Sequence, residues 1–221
     1  LNRVEAPAKV TTGLHVIEYL LWGADGSLAA EAFADERRGA YLAALAQLLV
    51  NDIGVLTAAW APEVANNYSA AVVAMDQRNA LGRAFNGMAV LVGYELPLRR
   101  IGAGLFPANE NFQPSPFSGT SAEDMRASFD SARNVYFGTG LDALVEAQAG
   151  AELAEKIRLG FDRVLAALVD LDAPYERFLA PPAGSAERMT AEAAVRALTD
   201  LARDLRQAGN RLGVLVVVPG M

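Results

Sequence analysis

Residues 151–171 read AELAEKIRLGFDRVLAALVDL, and the spacing of their apolar positions settles the fold class. Leu153, Ile157, Phe161, Val164, Leu168 and Leu171 recur at intervals of three and four, the period of one helix face. A second stretch repeats the pattern with Leu198, Leu201, Leu205, Ala208, Leu212 and Leu215. A strand would alternate every second residue, and neither stretch does. Over helices about 30 Å long at 1.5 Å per residue, such a seam belongs to antiparallel bundle helices. Alanine is the commonest residue, and with abundant leucine it favours helix because neither loses much side-chain freedom there.

Working outward, the pattern predicts helices at 10–22, 35–61 and 69–103, and at 121–136, 140–149, 151–173 and 187–215. Between residues 102 and 120 the period stops, and 106–119 carries prolines, asparagines and phenylalanines, the composition of a long ordered loop or crossing. Ser121 followed by Asp124 reads as a capping box that opens the next helix. The expected fold is all-α, two up-and-down helical bundles packed side by side. Residues 1–104 form the first bundle, 105–120 the crossing loop and 121–221 a complete four-helix bundle. The first bundle is incomplete. Between Leu14 and Trp22 every residue except His15 and Glu18 is apolar or aromatic, so this helix needs cover on nearly all sides. That cover is expected from a helical partner upstream or from another chain. Trp22, Trp60 and Tyr68 are expected in the core.

The stripe of the third helix runs Leu81, Phe85, Met88 and Val92, then meets Glu95 and Arg99, with Pro97 between them. Proline lacks the N–H that a helix interior needs, so the last turns should kink or loosen.

Composition removes whole classes of function. The chain has 221 residues, 52% apolar and 20% charged, and a net charge of -7. Disorder and phosphate-driven nucleic-acid binding are both poorly supported. With no cysteine, disulfides, iron–sulfur clusters and thiol catalysis are excluded for this chain. A single histidine, His15, excludes the HExxH zinc helix. No uninterrupted apolar run approaches the ~18 residues of a membrane span, so no transmembrane segment is expected. The chain starts at Leu1 with no signal peptide, as a processed or truncated product would.

Two pairs could carry chemistry. His15 and Glu18 lie three apart and share a ridge of an apolar helix, with Gly13 leaving room at the helix start. A buried glutamate needs a cation or donors, so the pair either ties helices together or contributes to a metal site completed by other oxygen ligands. Glu95 and Arg99 form either an intrahelical ion pair or part of an anion site. Glu36, Arg37 and Arg38 read as a solvated face or helix-end charges.

The stretch Thr12-Gly13-Leu14-His15-Val16-Ile17-Glu18-Tyr19-Leu20-Leu21-Trp22-Gly23 resembles the GxHxxE motif of imelysin-like proteins, including the bacterial iron-regulated protein A group. Arg37-Arg38-Gly39-Ala40-Tyr41-Leu42, Gly93-Tyr94-Glu95-Leu96 with Arg100-Ile101-Gly102, Ser115 to Ser121 with Asp124, and Asn134-Val135-Tyr136-Phe137-Gly138 are similar in the same order. The resemblance implies two four-helix bundles and export to the periplasm or cell surface. It also implies a link to iron uptake and a site where the bundles meet. The N-terminal third of such a protein is absent here, so missing helices or a second chain would complete the first bundle. On this reading His15, Glu18 and Glu95 are the metal-site residues, for iron or another divalent metal. Gly13, Arg99, Arg100, Ser118, Ser121 and Asp124 surround a ligand. Iron-uptake components are the expected partners.

The family was first described as metallopeptidases. A catalytic zinc keeps three protein ligands and an open position. His15 and Glu18 supply two, and Glu18 could not also serve as general base. The sequence therefore favours a binding protein over an enzyme, with an HxxE metallopeptidase and a non-catalytic scaffold as the alternatives.

Overall fold

In the computed structural model, which describes residues 11–65, 67–105, 113–172 and 174–220, the chain is all-α, as the periodicity predicts. Its α-helices are α1 (Leu14–Trp22), α2 (Glu36–Trp60), α3 (Tyr68–Val73), α4 (Gln77–Val90), α5 (Ser121–Gly138), α6 (Leu141–Ala149), α7 (Ala151–Val169) and α8 (Ala186–Arg211). Short 3-10 turns occupy Ala30–Ala34 and Tyr175–Phe178, and α4 runs on into a π-helical segment, Leu91–Gly102. Residues 106–112 of the expected crossing loop, and the start of the first helix expected at residue 10, lie outside the described residues.

The chain divides into two units, Leu1–Met75 with Ser115–Gly119, and Asp76–Pro114 with Thr120–Met221. This boundary differs from the expected break at residue 104. The reason lies at Asp76. The expected helix over 69–103 is interrupted there, and the Asp76 carboxylate caps α4 by accepting from the Asn79 N–H at 3.1 Å. Beyond that break, α4 and its π segment pack on α8 and so belong with the second unit. The 105–120 stretch is itself shared, with Ser115–Gly119 assigned to the first unit.

Within the first unit α1 lies against α2, and the two are tied by Arg38. Its guanidinium donates to the carbonyl of Leu20 from Nη2 at 2.7 Å and Nε at 3.2 Å, and to that of Tyr19 at 3.3 Å. These are last-turn carbonyls of α1, where a cation is favoured, and the Tyr19 carbonyl also accepts from Gly23 N at 2.8 Å. α3 is opened by Asn67, whose Oδ1 accepts from Ala70 N at 2.6 Å. The aromatic residues expected in the core are not there: Trp22, Trp60 and Tyr68 are exposed, the last two meeting edge to face at 4.9 Å. Periodicity finds an apolar face but not what covers it, and of α2 only Leu45 is buried. By length and composition α2 is the one described helix apolar enough to cross a membrane.

The second unit has a continuous core. Phe85, Met88 and Val92 of α4 and its extension meet Met125, Phe129 and Tyr136 of α5, Ile157 and Phe161 of α7, and Leu201 and Leu205 of α8. Phe161 sits between three rings, with centroids 5.6 Å from Phe129, 5.3 Å from Tyr136 and 5.2 Å from Phe137. Truncating such a phenylalanine to alanine costs about 3–5 kcal/mol in lost transfer energy and cavity. The seams at 153–171 and 198–208 face inward as the spacing predicts.

The end of α8 departs from the expectation of helix to residue 215. The helix stops at Arg211, a turn follows at Leu212 and Gly213, and residues 214–218 run extended. Val214, Val216 and Val218 are buried while Leu215 and Val217 point outward, the period of two of an extended chain. Asn86 fixes this segment by donating to the Leu215 carbonyl at 2.9 Å and accepting from Val217 N at 2.8 Å. α7 also ends earlier than residue 173, at Val169.

Candidate functional site

Gly13 opens α1 with φ +106, a conformation that side chains with a Cβ rarely adopt, and nothing lies within 4 Å of where that Cβ would be. The glycine is there for its backbone rather than for close packing. From this start α1 carries His15 and Glu18 on one ridge, with His15 Nδ1 3.3 Å from Glu18 Oε2. The two differ in setting, the His15 side chain being 65% exposed and that of Glu18 10%.

The second partner of Glu18 comes from a hundred residues away. Glu18 Oε1 accepts from Phe117 N at 3.0 Å, Ser118 N at 2.8 Å and Ser118 Oγ at 2.7 Å. Two consecutive backbone N–H groups directed at one oxygen form a small anion nest, closed by the serine hydroxyl. The ring of Phe117 meets Tyr19 edge to face at 5.3 Å, so α1 holds the 115–119 segment by an apolar contact beside the polar one. Burial alone would push the Glu18 carboxyl up. The Ser118 backbone and hydroxyl bonds, with those from His15 and Phe117, outweigh burial and hold it below its ordinary value of 4.5. The carboxylate is therefore ionised and satisfied at neutral pH, the condition a buried charge requires.

Of the residues the sequence singled out, the structure brings together Gly13, His15, Glu18 and Ser118, all in the first unit. Glu95, Arg99, Arg100, Ser121 and Asp124 belong to the second unit. There the π-helical geometry changes the expected Glu95–Arg99 pairing. The wider turn brings residues five apart into register, and a side-chain hydrogen bond to Tyr94 comes ahead of the Glu95 charge in raising the Arg99 guanidinium further above its ordinary value. Pro97 sits inside this segment, so the predicted loosening takes the form of a π turn.

The expected capping box at Ser121 is also corrected. Thr120 is the cap position and makes no side-chain capping bond. Ser121 is the first helical residue, fully buried, and its hydroxyl meets Gln113 Oε1 at 3.2 Å. Asp124 stays in the first turn, where the helix dipole favours an acid.

Sequence reasoning placed Phe117 in a family-like segment but gave it no role, and it read Arg38 only as a surface or helix-end charge. The signal for the nest was the turn composition Pro116-Phe117-Ser118-Gly119, which suits consecutive free N–H groups, yet nothing in the spacing names Glu18 as their partner.

The donor set bears on a metal. His15 and one oxygen of Glu18 are two donors, and no group of three His, Cys, Asp or Glu residues that could hold a metal ion occurs among the described residues. Those two alone do not make a closed metal site.

An all-helical chain with a buried glutamate one turn after a histidine, on a helix opened by a glycine at positive φ, is the kind of protein the fold and site define. The family model for imelysin (peptidase M75) matches residues 2–205, and the chain belongs to the imelysin family. No curated protein matches it.

Proposed function

We propose that this chain is an exported binding protein of iron uptake or iron homeostasis, taking a metal ion or a small ligand as cargo beside His15 and Glu18, without hydrolysis. The observation that carries the reading is the division of labour within Glu18. Oε1 is committed to three protein donors, while Oε2 is turned to an exposed imidazole. Ligand contact then falls to His15 and Oε2, while Oε1 fixes the 115–119 segment.

A general base in a metallopeptidase needs a carboxylate free to take a proton near neutral pH. A carboxylate held by this many donors, with a lowered pKa, suits that role poorly. This supports binding over the HxxE metallopeptidase reading.

Further ligand atoms would come from the cargo itself, or from helices or a second chain that complete the first bundle. The exposed apolar surface of α2 supports such a partner, because Gln47, Asn51 and Asp52 interrupt it at mid-helix, where a bilayer would exclude them. Export and the association with iron-uptake components rest on family membership.

The test is calorimetric titration of the whole protein with Zn2+ and, under anaerobic conditions, with Fe2+, repeated on His15→Ala. Binding in the wild type that weakens about tenfold or more on losing the imidazole is the expected result. Equal titration by both proteins would overturn the assignment of His15. Chelator-sensitive hydrolysis of a peptide panel, lost in His15→Ala, would favour the peptidase reading.

A further inference from the structure

Glu18 and His15 divide their atoms in a way that narrows the binding reading above, on which this inference rests. Glu18 Oε1 takes three donors, Phe117 N, Ser118 N and Ser118 Oγ. Oε2 faces His15 Nδ1 at 3.3 Å, and because an ionised carboxylate only accepts, the proton lies on Nδ1. In a neutral imidazole the other nitrogen is then a bare lone pair, so Glu18 sets the tautomer of the ring as well as its angle. Nε2 has no hydrogen-bond partner among the described residues, on a side chain that is mostly exposed. It is the atom of the pair left uncommitted.

One nitrogen is a poor hold for a bare ion that takes about four to six ligands. No third His, Asp or Glu joins the pair in a metal-binding group among the described residues. A metal carried here therefore brings its other ligands with it, and the surroundings of His15 say what kind of carrier fits. Tyr19 and Trp22 follow His15 at four and seven residues, on the same ridge of α1, and both are exposed, as is Leu14. Phe117 steadies Tyr19 through their edge-to-face contact. A ridge of exposed aromatic side chains beside a free nitrogen suits a flat, largely apolar body. A small hydrophilic chelator would leave that ridge in water.

We infer that His15, set by Glu18, offers Nε2 to the open axial position of a planar macrocyclic metal chelate whose body lies on Tyr19 and Trp22. Glu18 is a positioning residue in this arrangement rather than a ligand. Its charge, passed through the Nδ1–H bond, makes Nε2 the stronger base. Of the two sources of further ligand atoms named above, this selects the cargo itself.

The tautomer is read first, without any metal. His15 is the single histidine, so a long-range 1H–15N spectrum of the untagged whole protein, at about pH 8.5 where an imidazole is neutral, shows its two imidazole nitrogens and no others. A protonated Nδ1 and a bare Nε2 are expected. In Glu18→Gln the three donors at Oε1 still need an acceptor, which keeps the amide oxygen there and turns the amide NH2 toward His15. The tautomer should then reverse. A protonated Nε2 in the wild type, or one tautomer in both proteins, would overturn the positioning role. Absorbance titrations with haemin (ferric protoporphyrin) and with metal-free protoporphyrin then separate contact with the ridge from the bond to Nε2. Haemin should bind one-to-one and about a hundredfold tighter than the metal-free ring, an advantage lost in His15→Ala and cut about tenfold in Glu18→Gln. Trp22→Ser should weaken both rings alike, by about fivefold. Equal affinity for the two rings, or the same advantage in His15→Ala, would overturn the chelate as cargo. If Zn2+ or Fe2+ binds through His15 while haemin shows no such advantage, this inference fails and the broader binding reading stands. If none of the three depends on His15, both fail.

Discussion

If Glu18 holds the 115–119 segment, removing one donor should loosen that segment by a definite amount. Ser118→Ala deletes the hydroxyl that lies 2.7 Å from Glu18 Oε1 and leaves the two backbone donors in place. A hydrogen bond to an ionised group contributes about 1.5–3 kcal/mol, and at about 1.4 kcal/mol per factor of ten this is a change of about ten- to a hundredfold in local opening. The assay is amide hydrogen exchange at Phe117 and Ser118, because those N–H groups themselves donate to Glu18. Exchange at both should accelerate within that range in the variant, while the amides of α7 and α8 stay unchanged.

Acid supplies an independent perturbation. The Glu18 carboxyl is held below its ordinary value of 4.5, so its contribution is fully present above that pH and is lost as pH falls through the lower folded value. Protection of the two amides, corrected for intrinsic rates, should therefore persist to about pH 4.5 and decline below it, and Glu18→Gln should abolish this dependence. Unchanged exchange in Ser118→Ala, together with protection that ignores pH, would refute the carboxylate as the holding group.

Three further perturbations test the packing. A Cβ at Gly209 would run into Val216 and come within 3.3 Å of Val214, so Gly209→Ala should cost about 1–3 kcal/mol in chemical denaturation and release the extended 214–218 segment. Lys156 Nζ lies 2.6 Å from Oδ1 of the buried Asp204. Lys156→Met should destabilise by about 1–3 kcal/mol, and adding Asp204→Leu should recover most of the loss. Arg38→Met removes the donors to the Leu20 and Tyr19 carbonyls. It should lower stability by about 1–2 kcal/mol, with the loss seen as faster amide exchange in α1 rather than in α8.

The second unit was largely legible from sequence because each long helix there has a core to face, so the stripes Leu153 to Leu171 and Leu198 to Ala208 mark real burial. The reading failed where local geometry changed the period. Leu215 continues the helical spacing in sequence but points to solvent, because the turn at Gly213 switches the chain to an alternation of two. Tyr94 displaced Glu95 as the main partner of Arg99 because a π turn, accommodating Pro97, brings residues five apart together. In the first unit the apolar surfaces of α1 and α2 were evident, but spacing cannot say what covers them, and Trp22 and Trp60 are exposed. The GxHxxE stretch singled out Glu18, yet its partners Phe117 and Ser118 lie about a hundred residues on. Only the folded chain shows that the buried charge is answered by a backbone nest.

The central claim is that His15 and Glu18 form a binding site rather than a structural pair alone. Metal analysis by mass spectrometry, on protein purified without chelators, tests it most directly when the wild type is compared with His15→Ala. The account predicts bound iron or another divalent metal in the wild type and its loss in the variant, with the fold of both intact. Equal metal content in the two proteins, or none in either alongside no response to added Fe2+ or Zn2+, would contradict a metal cargo at this site.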